Sequence, residues 1–287
     1  MDFDLLQIAV PFRMQPGLAR VDAAACRLTP LHAGSALYAD KHAVWQAGQS
    51  RHTVPGLDAG ALRAAMAAID AHAPQPASAA SALGAEAALP LELRFEEDFA
   101  LVDGERGTIP WMCLCVPSHW APEDKLGLSL AAIHAPVADA ATLLAASEAL
   151  TRLVTSGEHW QRHVWTVSPS PRHDQHPRRH ARTPWPVVDT GHPDALDRFA
   201  RQCWLRAERQ SFLPVPGGSN TRQSVFAIRV MLQPLVDAVS DTARAQRLHD
   251  AIASMNGAVL AYKGLTEARD PLLRWLEQRA QSPQGRA

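Results

Sequence analysis

The sequence has few cysteines, almost no net charge and no long apolar run. Each of these three features excludes a class of protein. Its 287 residues include four cysteines and no CxxC pair, so neither a disulfide framework nor a structural zinc site is expected. The 28 basic and 29 acidic residues nearly cancel, so no global field would attract nucleic acid or an anionic membrane. Without an apolar run of about 20 residues or a basic leader, the sequence predicts a cytoplasmic protein.

Hydrophobic residues make up 47% of the chain, which is enough to bury a large core. A run rich in Ala, Ser, Pro and Gly before residue 89 is the best candidate for a boundary. We therefore expect an N-terminal extension with helices over residues 1–88, a core domain over 89–265, and a C-terminal helix and tail over 266–287.

A helix is predicted just before that boundary. Leu57, Leu62, Met66 and Ile69 recur near helical spacing, and Asp58 can cap the helix.

Two strands joined by a turn are predicted after the boundary, in LELRFEEDFALVDGERGTIPWMCLCV, where Leu91, Leu93 and Phe95 alternate with polar residues. Cys113 and Cys115 would share one face of the second strand. A thiolate iron ligand is conceivable there, but buried thiols that act as small apolar groups are far commoner, so both are assigned to packing.

Five histidines lie in a stretch rich in Pro, Arg and Ser, and they are His159, His163, His173, His176 and His180. Because they lack the regular spacing of metal ligands, the composition predicts an exposed loop with solvated histidines.

The segment APEDKLGLSLAAIHAPV predicts a helix that begins at Pro122 and ends before Pro136, because proline disfavours the helical conformation in the residue before it. His134 would therefore lie at a helix end. Residues 139–155 predict an amphipathic helix that Asp139 caps, with inward-facing leucines from Leu143 onward.

Two further strands are predicted in LRAERQSFLPV and SVFAIRVMLQPL, after a helix in HPDALDRFARQCW. Arg206, Glu208 and Gln210 would share one face of the first strand, either as a cavity-facing surface or as a solvated or ion-paired row. With helices in the last 50 residues, the order of elements predicts an α+β fold with a mostly antiparallel sheet.

Several separated motifs resemble one family, the alpha subunits of haem-dependent oxidative N-demethylases, also described as dimethylamine monooxygenases. In order, they are PFRMQPGL, FEEDFALV, PSHWAPEDKLGLSLAAIHAPV, LRAERQSFLPV with VFAIRV, and AYKG. The spacing from Pro117 through Trp120 to His134 and Pro136 is the most specific part.

The resemblance implies a PAS-like fold that binds haem b and oxidises a small secondary amine with dioxygen. Electrons would come from partner reductase subunits. NADPH, flavin and iron-sulfur chemistry would reside on those chains, because this sequence has no Gly-rich dinucleotide loop and no ferredoxin cysteine set.

His134 is the candidate axial ligand of the iron, because imidazole suits both oxidation states and leaves the opposite face open. The alternative is a histidine that caps a helix end or is satisfied in the core. His119 is expected to face solvent. The other candidates for cofactor contact are Arg13, Lys125, Arg162 and Arg206 for the propionates and Trp120, with Trp165, as an aromatic wall.

Glu208 is the candidate for handling the amine, with Arg206 as its neighbour. A protonated dialkylamine must be held and must lose a proton, and a carboxylate in a low-dielectric pocket can do both. Two alternatives remain at this point: a non-catalytic PAS-like sensor or carrier of haem or gas, and an interaction protein that binds no haem.

Overall fold

A computed structural model describes residues 2–74, 89–135, 144–189, 191–216 and 222–281, with the side chain of His134 excepted. The strands are β1 (Ala19–Arg20), β2 (Arg51–Thr53), β3 (Glu97–Asp103), β4 (Thr108–Cys113), β5 (Trp160–Ser168), β6 (Trp204–Pro214) and β7 (Gln223–Pro234). The helices are α1 (Ala36–Gln46), α2 (Ala59–Ala71), α3 (Leu91–Arg94), α4 (Leu130–His134), α5 (Ser147–Val154), α6 (Ala195–Ala200), α7 (Leu235–Ala238), α8 (Thr242–Ala253), α9 (Gly257–Lys263) and α10 (Arg269–Gln281).

The described strands form one antiparallel sheet in the order β1-β5-β6-β7-β3-β4-β2. Its centre is the long hairpin of β6 and β7, which pair from Trp204 opposite Pro234 to Pro214 opposite Ser224. The run VFAIRVML in β7 is rich in β-branched and aromatic residues, which favour a half-buried strand. The α+β prediction is confirmed, whereas the PAS-like assignment stays a prediction.

The two faces of the sheet carry different chemistry, because successive side chains of a strand point to opposite faces. Leu205 and Ala207 of β6 pack into a core that includes Leu248 of α8 and Trp275 of α10. The intervening residues Arg206, Glu208 and Gln210 therefore lie on the opposite face. This opposite face positions the candidate site.

Residues 2–74 contribute both edge strands of the sheet as well as helices. β1 pairs with β5 and β2 pairs with β4. The predicted helix is confirmed as α2, with the Asp58 carboxylate accepting a hydrogen bond from the Ala61 N–H at 2.8 Å. The division into three regions stays a prediction, and residues 75–88 of the predicted boundary lie outside the described ranges.

The first predicted strand begins later than expected. Leu91 and Leu93 lie in the helical turn α3, where both are buried, and β3 starts only at Glu97. Pro90 precedes α3, and Glu92 is buried with its carboxylate bound to Ser50 and Arg51. The Glu92 carboxylate is buried and has two partners from a distant segment. These tertiary contacts favour the helical turn over the strand that the alternation of apolar and polar residues predicts.

Cys113 and Cys115 do not share a face, which corrects the prediction. β4 ends at Cys113, which packs with Trp111 and Leu101, whereas Cys115 packs in a separate cluster with Met112 and Val116. Burial raises the pKa of both thiols well above its usual range, and both are free. Their contacts are those of apolar packing groups.

The segment from Pro122 to His134 is not one helix. A 3-10 turn spans Pro122–Asp124, and Gly127, with φ of +75°, interrupts the helical conformation before Ser129 caps α4. His134 is the last residue of α4, so its predicted place at a helix end is confirmed.

The predicted helix over 139–155 is described as α5 over Ser147–Val154. Asp139 and Leu143 lie outside the described residues, and Leu144 is exposed rather than inward-facing. Ser147, Thr151 and Val154 form the buried side of α5.

The histidine-rich stretch is packed in part, so the prediction of an exposed loop with solvated histidines is wrong for His176, although His163 is exposed. Residues Trp160–Ser168 form β5, and the His176 side chain is only 3% exposed, with its Nε2 3.1 Å from Glu123. Asp174 is buried and accepts hydrogen bonds from Arg179 and His180. Polar partners from other segments make burial of this polar stretch possible, which composition alone does not reveal.

The predicted helices near the carboxyl end are confirmed as α8, α9 and α10. Across the described ranges, no helix combines the length and apolar character that crossing a bilayer requires.

Candidate functional site

A row of polar side chains crosses the β5–β6 ladder on the sheet face opposite the C-terminal helices. The Glu208 carboxylate accepts hydrogen bonds from Ser118 Oγ and, at 2.7 Å, from Gln210 Nε2. Gln210 Oε1 in turn accepts from Arg162 Nε at 2.6 Å, and Ser118 Oγ accepts from Arg206 Nε at 2.8 Å. We call these five residues, Ser118, Arg162, Arg206, Glu208 and Gln210, the polar row.

Arg206 anchors the polar row from inside the protein. Its side chain is 2% exposed, and its guanidinium donates to the carbonyls of Val116, Arg172 and His173 as well as to Ser118. Burial lowers the pKa of Arg206 to about 10, and the nearby Glu208 carboxylate acts in the opposite direction. The guanidinium therefore remains charged at neutral pH and fixes the chain around Ser118.

Arg162, at the other end of the row, is held by two acceptors from distant segments. Besides Gln210, it donates from Nη1 to the Pro16 carbonyl at 3.1 Å. Burial lowers its pKa, while Glu208 opposes that shift. The carboxylate of Glu208 thus lies between two arginines on one sheet face.

The AYKG segment adds two groups that sequence reasoning did not assign to the site. Lys263 Nζ donates to the Trp165 carbonyl at 2.6 Å and lies 4.8 Å from the Phe12 ring centroid and 5.1 Å from that of Trp165. Burial lowers the pKa of Lys263 to about 8, with Glu208 opposing. The pKa of Tyr262 is raised by burial, and Glu208 acts in the same direction.

An apolar floor continues the same sheet face beside the polar row. Phe212 and Phe226 stack at 4.6 Å between ring centroids, and Ile228 lies opposite Gln210 in the β6–β7 register. Ile133 of α4 and Phe226 pack against one hydrophobic cluster, of which Ile228 is a member. The helix that ends at His134 therefore packs on the same sheet face as this floor.

Lys125 and Trp120 lie beside α4. Lys125 Nζ donates to the Ile133 carbonyl at 3.3 Å and lies 5.7 Å from the Trp120 ring centroid. Burial lowers the pKa of this ammonium. The His134 side chain and residues 136–143 lie outside the described part of the chain.

Two other candidates lie away from the polar row. Arg13 is exposed, although its neighbour Phe12 contacts Trp165. Trp165 itself is buried on the other face of the sheet, in the core with the C-terminal helices. His119 is exposed as predicted, but its ring also lines a cavity at the end of β5, and its φ of +59° is unusual for a residue with a side chain.

This sheet face and the end of α4 carry the chemistry that a haem requires. A haem needs an imidazole donor, apolar contacts for the macrocycle and cations for its propionates. His134 at the end of α4 can supply the first, the Phe212, Phe226 and Ile228 floor the second, and Arg162 or Lys125 the third. In the described ranges, no group of three or more His, Cys, Asp or Glu side chains forms a metal site.

Acid should destabilise the fold between pH 6.5 and pH 4. Burial lowers the pKa of His173 from 6.5 to about 4. Within that interval the unfolded chain binds more protons than the folded chain, so stability falls as the pH falls. Urea unfolding at pH 7 and pH 5 measures the loss, and His173→Gln should reduce it. The exposed His32→Gln is the control, and an unchanged loss in His173→Gln would contradict the assignment.

A comparison with known protein families assigns the chain to one of them. A family model described as "Haem-dependent oxidative N-demethylase, alpha subunit-like" matches residues 78–273, which is more than half of the chain. The match includes α4, the polar row and the AYKG segment. The chain therefore belongs to the haem-dependent oxidative N-demethylase, alpha subunit-like family.

Proposed function

We propose that this protein is the haem b-binding subunit of an enzyme that oxidatively N-demethylates a small secondary amine. Family membership supports the haem dependence and the reaction class. The observation that carries the residue assignment is the half-buried Glu208 carboxylate, held by Ser118 and Gln210 on the sheet face against which α4 packs.

His134 binds the iron in this proposal, while Arg162 and Lys125 neutralise the propionates. An arginine fork suits a carboxylate, and a lysine beside the helix end offers a second cation. Trp120, next to Lys125, would shield the same side of the cofactor from water.

The bound haem would supply the activation of dioxygen, and the polar row would handle the amine. Glu208 accepts an N–H of the substrate ammonium and then its proton, since a carboxylate in a partly dry site can bind the cation and act as a base. Ser118 and Gln210 hold the two carboxylate oxygens in place. Arg206 orients Ser118 by donating a hydrogen bond to its Oγ.

Lys263 gives the site a second proton carrier. Its ammonium has a pKa of about 8 and lies close enough to Glu208 for the two charges to interact. A group of that pKa can hold or release a proton near neutral pH. The electrons for the oxidation come from reductase subunits, in keeping with a family of alpha subunits.

Glu208→Gln should lower formaldehyde production at least about 100-fold, because an amide can neither pair with the ammonium nor accept its proton. The purified protein is loaded with haemin and given dimethylamine as the substrate and a chemical reductant as the electron source in aerated buffer. Formaldehyde is then assayed. The absorption spectrum of the haem should remain that of the wild type, which separates loss of chemistry from loss of cofactor.

Glu277→Gln, an exposed carboxylate change on α10, is the matched control and should retain the wild-type rate. Full activity in Glu208→Gln would contradict the role of Glu208. Oxygen binding by the wild type without any formaldehyde would instead favour a haem or gas-binding sensor or carrier.

A further inference from the structure

A buried carboxylate lies on the same sheet face as the polar row but does not belong to it. The strand register places Asp98 of β3 opposite Ile228 of β7. Ile228 in turn lies opposite Gln210 of β6, and Gln210 lies opposite Arg162 of β5. Directly paired residues of an antiparallel sheet share a face, so Asp98 lies in one line across the sheet with two members of the polar row. Asp98 also belongs to FEEDFALV, a motif that the proposed chemistry does not use.

Lys41 of α1 neutralises this carboxylate inside the protein. Asp98 is 2% exposed and Lys41 is fully buried, with its Nζ 3.1 Å from Asp98 Oδ1. Lys41 Nζ also donates to the carbonyls of Phe95 and Glu97, at 2.9 and 2.7 Å. Burial alone would lower the pKa of Lys41, but the charge of Asp98 raises it above its usual value. The two side chains therefore form a charged pair that is fixed in place.

The other oxygen of Asp98 holds the segment that leads to Ser118. Asp98 Oδ2 accepts hydrogen bonds from the backbone N–H groups of Cys115 and Val116, at 2.9 and 2.8 Å. Val116 is only two residues before Ser118, whose Oγ donates to the Glu208 carboxylate. A short stretch of backbone thus connects the buried carboxylate with the carboxylate of the polar row.

Arg206 holds the same segment through its carbonyl groups. Its guanidinium donates to the Val116 carbonyl at 3.3 Å, whereas Asp98 accepts from the Val116 N–H. Burial lowers the pKa of Arg206 to about 10, and Asp98 is one of the carboxylates that oppose this shift. Because both backbone groups of Val116 are bound to buried charged side chains, the position of Ser118 depends on both of them.

We propose that Asp98, with Lys41 as its counterion, is a positioning residue that sets the place of Ser118 and, through Ser118, of the Glu208 carboxylate. The catalytic consequence of this positioning rests on the proposed function, whereas the positioning itself does not. The alternative is a pair that serves stability alone, because breaking a buried ion pair destabilises a protein wherever the pair lies. A pair of that kind would leave Glu208 unaffected when it is broken.

The carboxyl ¹³C resonance of Glu208 tests the positioning without any turnover. Glutamate is labelled in the full chain, and the resonance is assigned by its loss in Glu208→Gln. Ser118→Ala should displace the resonance, because it removes a hydrogen bond to the carboxylate. Asp98→Asn should displace it in the same direction, because the single amide oxygen cannot serve both Lys41 and the two backbone N–H groups.

Glu92→Gln is the matched control for a role in stability alone. Glu92 is 2% exposed, as Asp98 is, and its carboxylate is bound to Ser50 and Arg51. This variant should lose stability but leave the Glu208 resonance in place. A wild-type resonance in Asp98→Asn or in Ser118→Ala would overturn the proposal, as would an equal displacement in Glu92→Gln.

Amide hydrogen exchange in Ser118→Ala keeps the proposal testable where Asp98→Asn does not fold. Coupling between two places is reciprocal, so release of the segment at Ser118 should also loosen it at Asp98. The Val116 amide, which Asp98 binds, should exchange at least about fivefold faster than in the wild type. An unchanged exchange rate would overturn the proposal.

Formaldehyde production separates this inference from the proposed function. With haemin, dimethylamine and a reductant, Asp98→Asn should be at least about tenfold slower than the wild type at saturating amine, because misplacement of a catalytic group costs rate. A wild-type rate in Asp98→Asn would overturn the catalytic consequence. A displaced Glu208 resonance, in a protein whose wild type forms no formaldehyde, would uphold the positioning and contradict the proposed function.

Discussion

Arg206→Met is expected to lower the free energy of unfolding by about 3 kcal/mol or more. The side chain is 2% exposed and donates four hydrogen bonds, so its removal leaves Ser118 and the carbonyls of Val116, Arg172 and His173 short of donors. Buried acceptors without partners cost far more than a lost surface contact. The change also removes a buried cation that interacts with Glu208.

Urea unfolding monitored by circular dichroism measures this effect. Arg206→Lys should recover only part of the stability, because one ammonium cannot reach all four acceptors of a guanidinium fork. Arg63→Met, an exposed arginine on α2, is the matched control and should change stability by less than about 0.5 kcal/mol. An Arg206→Met midpoint equal to that of Arg63→Met would show that the buried fork does not hold the polar row together.

Local patterns in the sequence predicted the elements whose signals lie within a few residues. The Asp58 cap of α2, the end of α4 at His134 and the shared face of Arg206, Glu208 and Gln210 all follow from spacing of two to four residues. In each case the structure agrees, because backbone geometry alone places those side chains.

The partners of the polar row could not be predicted, because they come from distant parts of the chain. Ser118 meets Glu208 across 90 residues, and Lys263 meets the Trp165 carbonyl across 98. The one signal for Lys263 was the AYKG motif, which carried the family resemblance without revealing a contact. Long-range pairing likewise turned a polar, histidine-rich stretch into a partly packed one, with Arg206 bound to the His173 carbonyl.

Predictions from sequence spacing were also wrong where a short alternation of apolar and polar residues competed with tertiary contacts. The alternation from Leu91 predicted a strand, but the buried Glu92 pairs with Arg51 of β2 and the segment forms a helical turn. The side chains of Cys113 and Cys115 lie on different faces because β4 ends at Cys113. Neither outcome could be read from a window of a few residues.

His134→Ala is expected to weaken haem binding at least about 100-fold, because it removes the single imidazole assigned to the iron, and loss of a mere supporting residue already costs about 10- to 100-fold. The floor of Phe212, Phe226 and Ile228 would still offer apolar contacts, so residual, loosely bound haemin should show a shifted and broadened band. His32→Ala, an exposed histidine far along the chain from α4, is the control and should bind haemin as the wild type does.

Imidazole added to His134→Ala should restore part of the wild-type spectrum, because a free imidazole can occupy the position of the missing side chain. This rescue separates ligation from a general defect in folding, which imidazole would not repair.

The central claim is that this chain binds haem through His134, and the most direct test is the absorption spectrum of the purified protein titrated with haemin. The account predicts a Soret band that saturates at one haemin per chain in the wild type and is lost or shifted in His134→Ala. A wild-type spectrum that is only that of free haemin, or a His134→Ala spectrum identical to the wild type, would contradict it.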